Sequence, residues 1–256
     1  MRLLRRQRPV APRPAYYDRP AFYALELGSW RDYVTLLHPP YTLWHLSYVV
    51  LGAALAPTIR YDRLGATLLA FFLAVGVAAH ALDELSGRPL RTAIPSRILW
   101  FLAVLSLAGA IGLGVAGVLL VSPWLLPFII CGVFMVPAYN LEWFRGRFHS
   151  DVWFALAWGV FPFLTAYWAS AEELDWSALA GAVAVFALSL AQRTLSSRVR
   201  TLRRKARSVE GIITYDDGST EEIDRQALMG PDERALMLLA VTVVAVSVAA
   251  LLLRAQ

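Results

Sequence analysis

Charge is scarce in this chain of 256 residues: Asp, Glu, Lys and Arg make up 17% of it, where an ordinary soluble domain carries about 25%. Lysine is nearly missing, Lys205 being the single one among 24 basic residues. Cysteine is reduced to Cys131 in an apolar run, which excludes an internal disulfide and a cysteine metal cluster. Disordered, collagen-like and disulfide-scaffold classes fail on the same numbers. What is abundant is apolar: 58% of the residues are hydrophobic, and the mean hydropathy is +0.53. A soluble globule has about 45–50% apolar residues, so this composition points to a membrane.

A spanning helix needs about 20 mostly apolar residues. Seven runs qualify: 41–57, 64–82, 98–120, 124–140, 152–170, 176–194 and 235–253. Trp44, Trp100, Trp124, Trp153, Trp168 and Trp176 fall at or near span ends, as an interfacial aromatic belt requires. The expected fold is an all-α polytopic bundle of about seven transmembrane helices.

Orientation follows from the basic residues of the loops. With the N-terminus in the cytoplasm, the N-terminal segment and inner loops hold 21 of the 24 basic residues, leaving Arg60, Arg63 and Arg254 outside. The net charge of +5 is then mostly a topology signal, and no nucleic-acid partner is expected. Arg2, Arg5, Arg6 and Arg8 are followed by prolines and Tyr16-Tyr17-Asp18, so no cleavable signal peptide is expected. The expected location is the cell (inner) membrane, multi-pass, with the C-terminus extracytoplasmic and the lipid bilayer as partner.

Outside the spans, residues 1–20 read as a flexible basic arm, and 21–37 as a helix on the membrane surface or docked on the bundle, ended by Pro39-Pro40. The organisation is thus an arm and interfacial helix (1–40), a six-helix bundle (41–194), a cytoplasmic basic loop (195–234) and a last span (235–256). Within the loop, the run Arg198–Arg207 serves as a topology anchor or attracts anionic headgroups. Asp217-Gly218, between Gly211–Tyr215 and Thr220–Asp224, signals a β-hairpin that needs support from the bundle.

Gly112-Leu113-Gly114-Val115-Ala116-Gly117 matches G-x-G-x-x-G, but it lies inside an apolar helix with no preceding strand, which rejects a dinucleotide site. Small residues there suit close helix packing. Two ionisable clusters fall on one membrane face. In the first, His80 shares a helix face with Asp83 and Glu84, and Arg88 and Arg91 follow. Carboxylates can hold Mg²⁺ and arginines can grip phosphate; the alternative is a solvated helix end, with Asp83 paired to Arg88. The second runs from Tyr139-Asn140 through Glu142, Arg145, Arg147 and His149 to Asp151. His38 and His45 read as structural, and Gln192-Arg193 as an end cap or as part of the same mouth.

These stretches resemble the UbiA-type intramembrane prenyltransferases. His38-Pro39-Pro40 leading into the first span is similar to the family's R-P-x-t-l. Ala79–Gly87 followed by Arg88-Pro89-Leu90 resembles its N-D-x-x-D-x-x-x-D motif followed by R-P-L. Tyr139–Arg147 followed by Trp158-Gly159 and Pro162 resembles its fourth loop and fifth helix. The resemblance covers residues 37–194 and implies an isoprenoid diphosphate held through Mg²⁺ at the cytoplasmic face, with the prenyl group passed to an acceptor. Asp83 matches a motif aspartate, while His80 and Gly87 stand where two others belong. The second aspartate motif is replaced by Gln192-Arg193 and a run without carboxylates.

The expected site therefore comprises Asp83 and Glu84 as catalytic residues. Arg88, Arg91, Tyr139, Asn140, Arg145 and Arg193 would bind substrate, and His80, Asp83, Glu84, Glu142 and Asp151 would hold Mg²⁺. With one metal site at most, either Arg193, Arg198 and Arg200 would neutralise the diphosphate charge instead or the reaction would be lost. The other expectation is a non-catalytic lipid-binding or scaffold protein of the same fold.

Overall fold

The computed structural model describes residues 19–256; the basic arm expected at 1–20 lies almost wholly outside them. Helices follow in the order α1 (Trp30–Leu36), α2 (Pro39–Leu55), α3 (Tyr61–Leu85), α4 (Ser96–Leu120), α5 (Pro123–Asn140), α6 (Asp151–Ala171), α7 (Trp176–Arg204) and α8 (Arg225–Arg254). Among the described residues, six helices, α3 to α8, are long and apolar enough to cross a membrane. α2, with 17 residues, is shorter. The expected count of seven therefore rests on α2.

Helix starts follow local chemistry. Ser122, Ser150, Asp175 and Asp224 each accept a backbone N–H of the following turn, which satisfies donors that a helix end otherwise orphans. Pro39 and Pro40 occupy the first positions of α2 instead of ending a surface helix. Proline has no N–H to lose there and its φ is already helical.

The middle of the bundle is α2. Trp44, Tyr48, Val49 and Ala53 are fully buried, and α6 and α8 are the main neighbours of the helix. At Gly52 an added Cβ would lie 2.1 Å from the Phe163 carbonyl oxygen, so α2 and α6 touch backbone to backbone. By contrast, α4 buries only Leu99, Ala103 and Ser106. It exposes Phe101, Val104, Leu105, Leu119 and Leu120, and a face of that extent is costly in water but at home in lipid. The glycine packing expected on α4 is half present: Gly114 abuts Ile129 and Gly117 abuts Leu125, while nothing lies near Gly112.

Two helices outrun their apolar spans. α7 continues about ten residues past 194 and α8 begins ten before 235, so the basic run to Arg204 is helical and the intervening loop is shorter than expected. Val199 on α7 packs with Met229 and Leu236 on α8. Beside them, the buried Arg203 donates from Nε to Glu233 Oε1 at 3.1 Å. The apolar criterion for a span misses such a stretch because its stability comes from an ion pair and one apolar stripe.

The hairpin pairs β1 (Gly211–Thr214) with β2 (Thr220–Ile223), Ile212 opposite Glu222. Gly218 takes the positive φ of 82° in the turn. β1 is exposed throughout, so the hairpin does not pack under the bundle as expected. The surface helix of 21–37 is reduced to α1, and it is docked: buried Asp32 accepts the N–H of Gly28 and of Ala93, both at 2.9 Å.

Candidate functional site

The ends of α3, α5 and α7 meet the starts of α2 and α6 around one polar cavity of about 120 Å³. The two ionisable clusters read from the sequence thus lie at the same end of the bundle. All four histidines of the chain line the cavity, His38, His45, His80 and His149. Around them stand Asp83, Tyr23, Tyr41, Tyr139, Asn140, Gln192 and the arginines Arg193, Arg200, Arg203 and Arg204.

Local backbone chemistry sets up these side chains. α3 and α6 widen into π-helical turns over Phe72–Ala79 and Leu156–Val160. Such turns shift the N–H to carbonyl pairing by one residue and occur at functional sites. Carbonyls from both segments bind imidazoles: His80 Nδ1 lies 3.0 Å from Gly76 O and His45 Nδ1 lies 2.8 Å from Trp158 O. His149 Nδ1 makes the same contact with Tyr139 O at 3.1 Å. A carbonyl only accepts, so each Nδ1 carries a proton, and in its neutral form such a ring has Nε2 as its lone-pair nitrogen. His38 stacks on His80, and its Nδ1 lies 3.0 Å from the Tyr23 hydroxyl. Burial holds His38 well below the usual imidazole range, and His80, Arg204 and Arg200 add to the effect. Burial likewise raises the Tyr23 phenol well above 10.

Three buried polar atoms of the lining have no hydrogen-bond partner: His38 Nε2, Tyr139 Oη and Gln192 Oε1. Buried polar atoms are rarely left so, and three around one cavity mark a place for a polar ligand or water. The cations divide into two kinds. Arg193 donates from Nε to Asp151 Oδ1 at 2.9 Å and lies over the Phe154 ring, while Arg203 pairs with Glu233. Among the described residues, Arg200 and Arg204 form no ion pair; Arg200 donates to Ser197 Oγ and Arg204 to the Pro20 carbonyl.

Of the expected site residues, the structure brings His80, Asp83, Tyr139, Asn140 and Arg193 to the cavity. The others lie elsewhere. Glu84 is fully buried and turned away, its carboxylate accepting the N–H of Leu90 at 2.9 Å and both the N–H and the hydroxyl of Thr92 at 2.8 Å. A carboxylate so occupied pins a loop. Arg88 donates to Ile94 O and Ser96 Oγ and does not pair with Asp83. Arg91, Glu142 and Arg145 are exposed, Asp151 is spent on Arg193, and Arg198 pairs with Asp232 at 3.4 Å.

The five-residue Mg²⁺ set is therefore not assembled. Among the described residues no group of three or more His, Cys, Asp or Glu is placed to hold a metal ion. Mg²⁺ favours hard oxygen ligands in a near-octahedral shell, and among the described residues Asp83 is the single carboxylate of the lining. The donor set does not fit the ion that the resemblance implies. The sequence reading missed Tyr23, Tyr41, Arg203 and Arg204 as lining residues and took His38 and His45 as structural, while Gln192 and Arg200, which it offered for the mouth and for the diphosphate charge, do line the cavity. The available signal was that all four histidines lie near predicted span ends.

A second cavity adjoins the first. It is an apolar groove of about 440 Å³ between α3, α4, α5 and α6, lined by Phe71, Ile111, Ile129, Met135 and Phe161 among others. Val75 and Trp158 line both cavities, so the polar pocket and the apolar groove share a wall. The fold and site together define a multi-pass helical membrane protein with a cation-rich pocket at one end of its bundle. Compared with known proteins, the chain matches no family model, no curated sequence and no solved structure.

Proposed function

We propose that this protein binds the phosphorylated head of a lipid, an isoprenoid diphosphate fitting best, in the polar pocket, with the lipid chain in the adjoining groove. The observation that carries this reading is the wall shared through Val75 and Trp158. It sets an arginine-rich pocket against an apolar groove of the size ligand sites commonly have, about 300–1,000 Å³. Guanidinium grips phosphate oxygens in pairs, and an apolar chain gains about 0.8 kcal/mol per buried CH₂.

The basic residues of the loops at the pocket end support a cytoplasmic position for it. In this reading α2 is a seventh span, about 26 Å long at 1.5 Å per residue, and the C-terminus is extracytoplasmic. The resemblance to UbiA-type prenyltransferases supports the isoprenoid class of lipid.

Of the two activities left open by the sequence, binding without transfer has the stronger support, because the metal-holding carboxylates are dispersed. Transfer of the prenyl group is favoured by one observation. His45, His80 and His149 each give Nδ1 to a backbone carbonyl beside the pocket, and the Nε2 of a neutral imidazole so held can take the proton an acceptor gives up on alkylation.

The reading is tested by extracting lipid from protein purified out of its own membrane and identifying it by mass spectrometry. A phosphorylated lipid enriched over the bulk membrane, and lost from the Arg200→Ala/Arg204→Ala variant, is expected. Composition equal to the bulk membrane contradicts the proposal.

A further inference from the structure

We propose that the pocket holds its ligand's phosphates without a divalent metal, by guanidinium and neutral hydrogen-bond donors alone. This rests on the phosphorylated-lipid reading and goes beyond it, because it names what neutralises the charge.

Two sets of groups argue for it. The first is the imbalance of charge. Four arginines and one aspartate line the cavity. Two of the four, Arg193 and Arg203, are answered by Asp151 and Glu233. Arg200 and Arg204 face the cavity and form no ion pair among the described residues, with Asp83 the one carboxylate of the lining near them. Unanswered cations in a low-dielectric site are costly, and an anion in the cavity offsets that cost. A cation placed there instead would add to it, against a single carboxylate, Asp83.

The second is the set of unpartnered atoms. Tyr139 Oη and Gln192 Oε1 belong to residues only 5% and 2% exposed, and His38 Nε2 joins them. A phenol is a donor whose proton suits a phosphate oxygen. In the tautomer that lets the Tyr23 hydroxyl donate to His38 Nδ1, 3.0 Å away, the His38 proton sits on Nε2 and makes a second neutral donor. The Gln192 amide supplies N–H or oxygen according to its rotation. Guanidinium, phenol and imidazole N–H are the donors that phosphate oxygens accept from; of the carboxylates, which repel them, Asp83 is the one that the described lining holds.

The test uses the full chain in detergent micelles, with farnesyl diphosphate and inorganic diphosphate as probes. Each is titrated in excess EDTA and in excess MgCl₂. Farnesyl diphosphate affinity equal in the two buffers is expected. Arg200→Gln should weaken binding about tenfold or more, the worth of a charge-assisted hydrogen bond. Asp83→Asn should bind at least as tightly as the parent, because it removes a negative charge from an anion site.

Binding that requires Mg²⁺ and collapses in Asp83→Asn overturns the metal-free proposal while leaving the phosphorylated-lipid reading intact. Metal-independent binding of inorganic diphosphate with no gain from the farnesyl chain does the reverse. Binding of neither probe overturns both. The buffer comparison is made on the unmutated protein, so it decides even where a variant fails to fold.

Discussion

His38 and His80 stack with ring centroids 4.0 Å apart and planes 10° from parallel. Two imidazoles share such a spacing comfortably when both are neutral and repel when both are charged. His38 comes from the start of α2 and His80 from the end of α3, so the pair ties two helices together at the pocket.

That pair gives the fold a pH dependence. Burial lowers the His38 imidazole, and His80, Arg204, Arg200 and His45 all further disfavour its charged form. The unfolded chain titrates near 6.5 and so binds more protons than the fold below that pH. Stability is then fully present above about pH 6.5 and is lost as pH falls beneath it. Thermal unfolding in detergent should show Tm dropping from about pH 7.5 to about pH 5.5, with a shallower drop in His38→Gln. Equal pH dependence in the two proteins would show that His38 does not contribute.

Glu84 is predicted to be structural. Its carboxylate holds Leu90 and Thr92 through three hydrogen bonds. Glu84→Gln replaces one acceptor oxygen with a donor, at a cost of about 1–3 kcal/mol. Tm should fall while the folded fraction binds farnesyl diphosphate with unchanged affinity. Loss of binding at unchanged Tm would put Glu84 back in the site.

The join between α7 and α8 depends on Arg203 and Glu233, whose side chains are 1% and 6% exposed. Glu233→Ala removes the carboxylate that faces a buried guanidinium, and breaking such a pair costs about 3–5 kcal/mol. Arg203→Met/Glu233→Leu, which removes both charges, should recover much of that loss. A double variant no more stable than Glu233→Ala alone would contradict the assignment.

Gly52→Ala should destabilise the bundle without touching the pocket. The added methyl meets the Phe163 carbonyl oxygen at 2.1 Å, and backbone cannot swing aside as a flexible side chain would. Overpacking of this kind costs about 1–3 kcal/mol or more. A Tm equal to that of the parent protein would show that α2 and α6 part more easily than their contact implies.

What could be read from the sequence follows from the physics that wrote it. The spans of α3 to α8 were legible because a bilayer demands long apolar runs, and Asp217-Gly218 marked the hairpin turn. The helical extension through Arg198–Arg204 was not, because it is held by partners thirty residues away, Met229 and Glu233. The pocket was half legible. His80, Asp83 and Tyr139 stood in charged clusters at span ends, but the same clusters held Glu84 and Glu142, which face elsewhere. Helix phase separates Glu84 from His80 and Asp83 on α3, while Glu142 lies past the end of α5 with a positive φ of 51°. Arg204 looked like a topology or headgroup anchor, and Arg200 like that or a partner of the diphosphate, since nothing local shows which way α7 aims them.

The most direct measurement is photocrosslinking with a farnesyl diphosphate analogue carrying a benzophenone at the far end of its chain. Adducts are predicted on residues of the groove such as Ile111, Ile129 and Phe128, and they should disappear on competition with unlabelled farnesyl diphosphate. Adducts spread over the outward face of α4, at Phe101, Val104 and Leu105, and insensitive to competitor would contradict the account.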